Sequence, residues 1–281
     1  MVTRPFGPTG VRVAVVGQGT WAMERDDRRR VLAALRTGLD LGMTHIDTAE
    51  MYGDGAVERL VGRAIAGRRE EVFLVSKVLP EHASRAGVVH ACEESLRRLR
   101  TDRLDCYLLH WRGRHPLAET IAGFENLFRV GKIRSYGVSN FDAPELEWAI
   151  ALAGSGWLTC DQVLYHLRER AIEHRVMPAC ARHGVAVVAY SPFAQGRFPS
   201  ARSPAGRVLE EVAAAYGATP RQVALAFLVR EPHGFVIPKA SRPEHVRENA
   251  AAGALTLSAE AIRRLARAFP RGRARWRVPT L

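Results

Sequence analysis

Short runs of aliphatic and β-branched residues alternate with longer segments of helical period along nearly the whole chain. The apolar runs fall at residues 11–16, 44–46, 71–76, 104–109, 133–138, 158–163, 185–189 and 234–237. Their shortness and β-branched content are those of buried strands. Between them, apolar positions recur at three- and four-residue spacing over 27–41, 56–66, 84–99, 117–130, 143–153, 173–183, 208–216 and 220–229, with a final helical region over 243–252 and 259–269. Thr219-Pro220 and Ser258 have the chemistry of helix starts, whereas Gly42, Gly67 and Gly184 stand where helices should stop. Eight strands alternating with helices predict an α/β chain with a parallel sheet, and closure into a (β/α)₈ TIM barrel is the economical topology. A length of 281 residues, with no linker or low-complexity segment, fits one such barrel as a single domain over residues 1–281.

Composition narrows the classes. A hydrophobic fraction of 47% suffices for a large core, yet no apolar run approaches the roughly 20 residues of a membrane span. No basic segment followed by an apolar stretch and a small-residue cleavage site opens the chain, which predicts no secretion signal. Cys92, Cys106, Cys160 and Cys180 are well separated and lack metal-ligand spacing, as expected of buried thiols in a reducing cytoplasm. No membrane partner and no metal are expected. The net charge of +12 invites a nucleic-acid reading, but arginines are spread through nearly every helical segment, often beside Glu or Asp. Only 271–277 forms a basic tail, so a solvated arginine-rich surface is the expectation rather than a nucleic-acid partner. Lys and Arg total 41, and only Lys77, Lys132 and Lys239 are lysines. Lysine differs from arginine in being a compact charge with a tunable pKa, so its three positions attract interest.

The chemistry concentrates at strand ends. In His45-Ile46-Asp47-Thr48-Ala49-Glu50-Met51-Tyr52-Gly53 an apolar strand ends in an acid, and a tyrosine follows five residues later on the loop. Lys77, His110, Ser139-Asn140, Gln162, Tyr190 and Lys239 then close successive strands. That is the face on which barrel enzymes build their sites. Gly17-Gln18-Gly19-Thr20-Trp21-Ala22 also fits a dinucleotide-binding turn, with Asp40 near the distance of its acid. Such a turn runs straight into a helix, however, and here Trp21 intervenes and the helical pattern begins only near Asp27.

Asp47, Tyr52, Lys77 and His110, in that order, resemble the catalytic tetrad of the aldo-keto reductases. The resemblance extends from about Val13 to Ala252 through Val75-Ser76-Lys77-Val78, Leu108-Leu109-His110-Trp111, Gly131-Lys132-Ile133-Arg134, Gly137-Val138-Ser139-Asn140-Phe141, Asp161-Gln162-Val163, Ala189-Tyr190-Ser191-Pro192 and Ile237-Pro238-Lys239. It is nearest to short bacterial reductases of small reactive aldehydes. It implies reduction of a carbonyl substrate by hydride from NADPH, with NADH possible. Tyr52 would donate the proton, Lys77 would lower the phenol's pKa, Asp47 would hold Lys77 charged, and His110 would orient the carbonyl. It implies Thr20, Trp21, Ser139, Asn140, Gln162 and Tyr190 at the nicotinamide end, and Ser191, Phe193, Gln195 and Gly196 around the pyrophosphate. Lys239, His245, Glu248 and Asn249 would serve the adenosine end, and Trp21 and Trp111 the substrate.

Three positions depart from the family pattern. Ala240 and His245 stand where a serine and an arginine commonly hold the 2′-phosphate, and Asp161 replaces an asparagine, where it is expected to retune the nicotinamide contact. A brief 110–116 loop and a short segment after Phe269 predict an open, permissive pocket; a monomer is expected. The alternative implied by the same resemblance is a nucleotide-sensing regulatory protein with little turnover.

Overall fold

The computed structural model describes residues 1–280. Ten strands form: β1 (Thr3–Pro5), β2 (Arg12–Ala14), β3 (Gln18–Gly19), β4 (His45–Asp47), β5 (Phe73–Val78), β6 (Cys106–Leu109), β7 (Tyr136–Ser139), β8 (Leu158–Leu164), β9 (Ala186–Tyr190) and β10 (Gly234–Val236). Strands β3 to β10 pair in parallel with their chain neighbours. Parallel bridges Val16↔Val236 and Gly19↔Lys239 join the two edges, so the sheet closes into the expected (β/α)₈ barrel. The helices α1 (Arg28–Asp40), α2 (Ala56–Ala64), α3 (Arg85–Leu99), α4 (Leu117–Arg129), α5 (Ala143–Ala153), α6 (Val176–His183), α7 (Pro204–Ala215), α8 (Pro220–Leu228), α9 (Pro243–Ala252) and α10 (Ala259–Ala268) surround it. β9 is buried from Ala186 to Ala189, which explains why its residues read as one apolar run rather than as an alternation.

The first strand departs from the sequence expectation. Residues 13–16 are apolar because they are buried, but β2 pairs antiparallel with β1 rather than entering the barrel. This hairpin closes the barrel floor: Phe6, wholly buried, meets the rings of His45, Phe73 and Phe235 at 5.7, 4.8 and 5.0 Å. The barrel's own first strand is Gln18–Gly19, which has little β propensity and is held by its neighbours. Gly19 donates to Pro238 O at 3.1 Å, and a Cβ there would lie 2.4 Å from Ile237 O. Gly19 therefore permits barrel closure, and the G-x-G pattern is not a pyrophosphate turn running into a helix.

Helix starts follow the chemistry read from sequence. Thr219 and Gln222 form a capping box at α8, Asp142 and Glu145 another at α5, and Ser258 caps α10 through the Ala261 N–H. The helix expected over 173–183 begins only at Val176, because Arg175 breaks the run at φ −137°, ψ −48° and a 3₁₀ turn, Ala171–His174, precedes it. All four cysteines are buried and free. Lys132 pairs with Glu93 and does not line the cleft, so only two of the three lysines keep the interest their scarcity raised. No helix among the described residues is long and apolar enough to cross a membrane.

Candidate active site

Parallel register places the four tetrad residues together. Asp47, the last residue of β4, lies opposite Val75 of β5, and Lys77 follows two residues later on the same face of the sheet. Thr20 fastens the end of β4 by donating to Asp47 O at 2.8 Å. The loop after β4 then returns Tyr52 over Lys77, while His110 leaves β6 with its N–H on Val78 O at 3.0 Å. Of the non-glycine residues with positive φ, all but Arg100 lie in loops on this face: Ala22, Asp54, Asn140, Ser191, Ala194 and Gln195. Such backbone persists where the surroundings over-determine it, which singles out this face as the built one.

Lys77 is wholly buried and its ammonium contacts three oxygens: Asp47 Oδ1 at 2.6 Å, Thr48 O at 2.8 Å and Tyr52 Oη at 3.2 Å. Three acceptors match the three N–H bonds of an ammonium, so the pair is an ion pair. Burial alone would lower the lysine pKa; the charges and hydrogen bonds of Asp47 and Tyr52 outweigh it and hold Lys77 above its ordinary value. Asp47 keeps its second oxygen occupied by Gln162 Nε2 at 2.7 Å. Because Lys77 donates to the phenol oxygen, the phenolic proton remains for another acceptor.

The expectation of a lowered tyrosine pKa is not met. Burial is the dominant influence on Tyr52 and raises it; Lys77 pulls down, Asp47 pushes up, and the net direction is upward. In this state the phenol is a protonated acid across the neutral range. His110 is its edge-on neighbour, with ring centroids 5.9 Å apart. Burial, reinforced by the Lys77 charge, drives the His110 pKa down to about 2. His110 is thus a neutral imidazole near pH 7, able to donate a hydrogen bond but holding no spare acidic proton.

A cleft of about 940 Å³ opens above these groups. Its lining takes in Thr20, Trp21, Asp47, Tyr52, His110, Trp111, Ser139, Asn140, Gln162, Tyr190, Ser191, Gln195 and Lys239. Lys77 lies beneath it, behind Tyr52. Ser139 donates to Gln162 O at 2.8 Å, Asn140 Nδ2 to His110 O at 3.1 Å, and the Tyr190 hydroxyl to Asn140 Oδ1 at 2.8 Å. These polar groups are cross-braced to the tetrad. Phe193, Gly196, His245, Glu248 and Asn249 lie outside the cleft lining. Phe193 packs edge-on against Phe198, and Glu248 accepts from Thr219 at 2.7 Å. His245 is exposed and Asn249 buried on α9.

The donor set suits an extended nucleotide with a planar ring at one end and an anion at the other. At the tetrad end stand amide and hydroxyl groups with the half-buried Tyr190 ring. Further along, the Ser191–Gly196 loop turns through positive φ at Ser191, Ala194, Gln195 and Gly196, where glycine adopts φ 84° without strain. Lys239, bridged to Gly19, also lines the cleft.

Three sequence expectations are corrected here. Asp161 does not approach the cleft: strand alternation turns it outward, wholly buried, with Oδ1 accepting from Phe141 N at 3.4 Å and Oδ2 without a partner. No serine stands at Ala240, yet a hydroxyl is not missing beside Lys239, since the next residue, Ser241, places its own there on Asp26. The rim is also not open, because the C-terminal segment returns to it and Arg277, Val278 and Thr280 line the cleft. That segment is fastened by Arg175 over the Trp276 ring at 3.8 Å, by Arg275–Glu169 at 3.6 Å, and by His174 Nε2 on Gly272 O at 3.0 Å. Sequence reasoning also missed Met51 and Arg112 as lining residues and Asp26 as the partner of Lys239: Met51 sits unremarked inside the stretch that holds Asp47 and Tyr52, and the other two carry no periodic or motif signal.

Comparison with known proteins agrees with this geometry. The chain is 45% identical over 263 residues to methylglyoxal reductase YeaE of Escherichia coli (strain K12), covering 92% of each chain. It is 32% identical over 245 residues to a glyoxal reductase of Bacillus subtilis (strain 168), covering 86% of this chain and 83% of that one. An aldo/keto reductase from Klebsiella pneumoniae, solved in complex with NADP and acetate, superposes with a TM-score of 0.92 at 45% identity over 99% of both chains. The model of the aldo/keto reductase family matches residues 15–269, and the chain belongs to that family.

Proposed function

We propose that this chain reduces aldehydes and ketones to alcohols with NADPH, and that Tyr52 supplies the proton. The observation that carries the reading is the buried Lys77 ammonium, its three N–H bonds spent on Asp47, Thr48 and the Tyr52 oxygen at the floor of the cleft. NADPH, when bound, supplies the hydride. Ser139, Asn140 and Gln162 would hold its carboxamide beside Thr20 and Trp21, with the Tyr190 ring stacked on the nicotinamide. Ser191, Phe193, Gln195 and Gly196 would follow the pyrophosphate. Lys239, with His245, Glu248 and Asn249 from α9, would take the adenosine 2′-phosphate end.

The division of labour follows from protonation. Negative charge grows on the substrate oxygen as its carbon is reduced. His110, neutral, donates a hydrogen bond to that oxygen and so orients it and spreads the charge. Tyr52 transfers its proton to the same oxygen, and the phenolate left behind is stabilised by Lys77, whose own charge is fixed by Asp47. Burial keeps water out of this exchange. Trp21, Met51 and Trp111 wall the substrate side, and the C-terminal segment narrows it.

Small reactive aldehydes of the α-oxoaldehyde type fit this enclosure best, in keeping with relatives named for methylglyoxal and glyoxal. We read residues 1–281 as one barrel acting as a monomer in the cytoplasm, without a nucleic-acid partner. No observation favours the nucleotide-sensing alternative. The test is turnover of a panel of methylglyoxal, glyoxal, benzaldehyde and a bulky ketone, followed by NADPH absorbance. Rapid reduction of the small aldehydes is expected. Cofactor binding with no turnover of any member would overturn the reading in favour of a sensor.

A further inference from the structure

Closure of the barrel brings the loop after β3 against the end of β10. Gly19 bridges Lys239, and the chain then passes through the 3₁₀ turn Met23–Arg25 to Asp26. There the Asp26 carboxylate takes Lys239 Nζ at 2.5 Å and the Ser241 hydroxyl at 2.5 Å, both on Oδ2. Asp26 is not needed to start α1, because Asp27 caps that helix through the Arg30 N–H at 2.9 Å. Its side chain is 33% exposed and that of Lys239 37%. A cation and a hydroxyl converge on one oxyanion, and the cation lines the cleft of about 940 Å³. Partial burial would raise the Asp26 pKa, but the hydrogen bonds of Lys239 and Ser241 and the nearby Arg242 charge hold it below the usual carboxylate value.

We propose that Asp26 is a built-in competitor for the cofactor's 2′-phosphate: its carboxylate occupies the Lys239–Ser241 anion site and must leave before a phosphate can enter. Asp26 is therefore a specificity-determining residue that restrains NADPH without touching NADH, which brings no anion to this site. The inference rests on the NADPH reading above. Exposure makes the exchange feasible, since a half-hydrated carboxylate regains its water on leaving.

The test is equilibrium titration of NADPH, NADH and adenosine 2′,5′-bisphosphate, read by protein fluorescence, into wild type, Asp26→Asn and Asp26→Glu. Each substitution is also made on a Lys239→Met background. Asp26→Asn is expected to tighten NADPH and the bisphosphate about two- to fivefold, the worth of a partly exposed ion pair. NADH should not respond. Asp26→Glu, which keeps the competing charge, should not tighten NADPH, and with Lys239→Met the effect of Asp26→Asn should vanish. Melting curves confirm that each variant is folded. Weaker binding of both dinucleotides to Asp26→Asn would overturn the proposal and make Asp26 a clasp over the cofactor. A wild type that prefers NADH and ignores Lys239→Met would instead fail the NADPH reading, and the proposal with it.

Discussion

Two lysine–aspartate pairs of nearly equal length stand at one cleft, on either side of the Gly19 strand. Lys77 and Asp47 are 2.6 Å apart with side chains 0% and 1% exposed; Lys239 and Asp26 are 2.5 Å apart with side chains 37% and 33% exposed. The buried pair is braced by Thr48 O, the Tyr52 hydroxyl and Gln162, so neither partner can leave without stranding a charge. The half-exposed pair has water as an alternative on both sides. Distance alone does not distinguish a fixed electrostatic device from an exchangeable one. Solvent access and the remaining hydrogen bonds decide it.

The largest effect is expected where the buried pair meets the substrate. Tyr52→Phe removes the transferable proton but leaves Lys77 and Asp47 paired. The rate of reduction should fall about a hundredfold or more, the range of general acid catalysis, with NADPH affinity nearly unchanged. Wild-type reduction should decline only at alkaline pH, as the raised phenol pKa is passed, and His110 should introduce no step near pH 6.5. A variant retaining a tenth of wild-type turnover would remove Tyr52 from the acid role.

Asp161 sharpens the comparison as a buried aspartate without a lysine. Burial pushes its carboxyl pKa well above the ordinary value, with only the Phe141 N–H opposing and the Glu145 and Asp142 charges adding to the rise. A raised carboxyl binds its proton more tightly when folded, so it lowers stability progressively as pH rises above the unfolded value near 3.9. Asp161→Asn keeps an acceptor for Phe141 and removes the titration. It should stabilise the fold at pH 7, by about 1.4 kcal/mol for each pKa unit of the rise, and the gain should vanish near pH 3. Denaturant melts at the two pH values check this; an equal effect at both would show that charge is not the cause.

Much of the molecule was legible in the sequence because strand alternation and strand-end chemistry are local. Asp47, Lys77, His110 and Gln162 could be placed from their position after apolar runs alone. What escaped depends on long-range closure. The run over 11–16 reads as a barrel strand, since burial of residues 13–16 outside the barrel sheet and burial in a sheet leave the same apolar signature. The C-terminal segment docks through an arginine on Trp276 and through backbone contacts, which have no period. Asp26 looks like one of two adjacent acids before a helix, and only barrel closure makes it the neighbour of Lys239. The rise in the Tyr52 pKa escaped because a motif names its charged neighbours but not the depth of its burial.

The central claim, that the buried pair governs chemistry and the exposed pair governs cofactor choice, is tested most directly by matched substitutions. Lys77→Met and Lys239→Met are each measured for single-turnover reduction of methylglyoxal at saturating NADPH and for the NADPH dissociation constant. The double variant Lys77→Met/Asp47→Asn stands in where the single one melts, because an unpaired buried Asp47 costs about 3–5 kcal/mol. A crossed result is expected. Lys77→Met should slow the chemical step at least tenfold, by roughly 1.4 kcal/mol or more, with NADPH affinity retained. Lys239→Met should weaken NADPH about ten- to hundredfold, the value of a charge-assisted contact, with the saturated rate retained. Loss of the same quantity in both variants would contradict the division of labour between the two pairs.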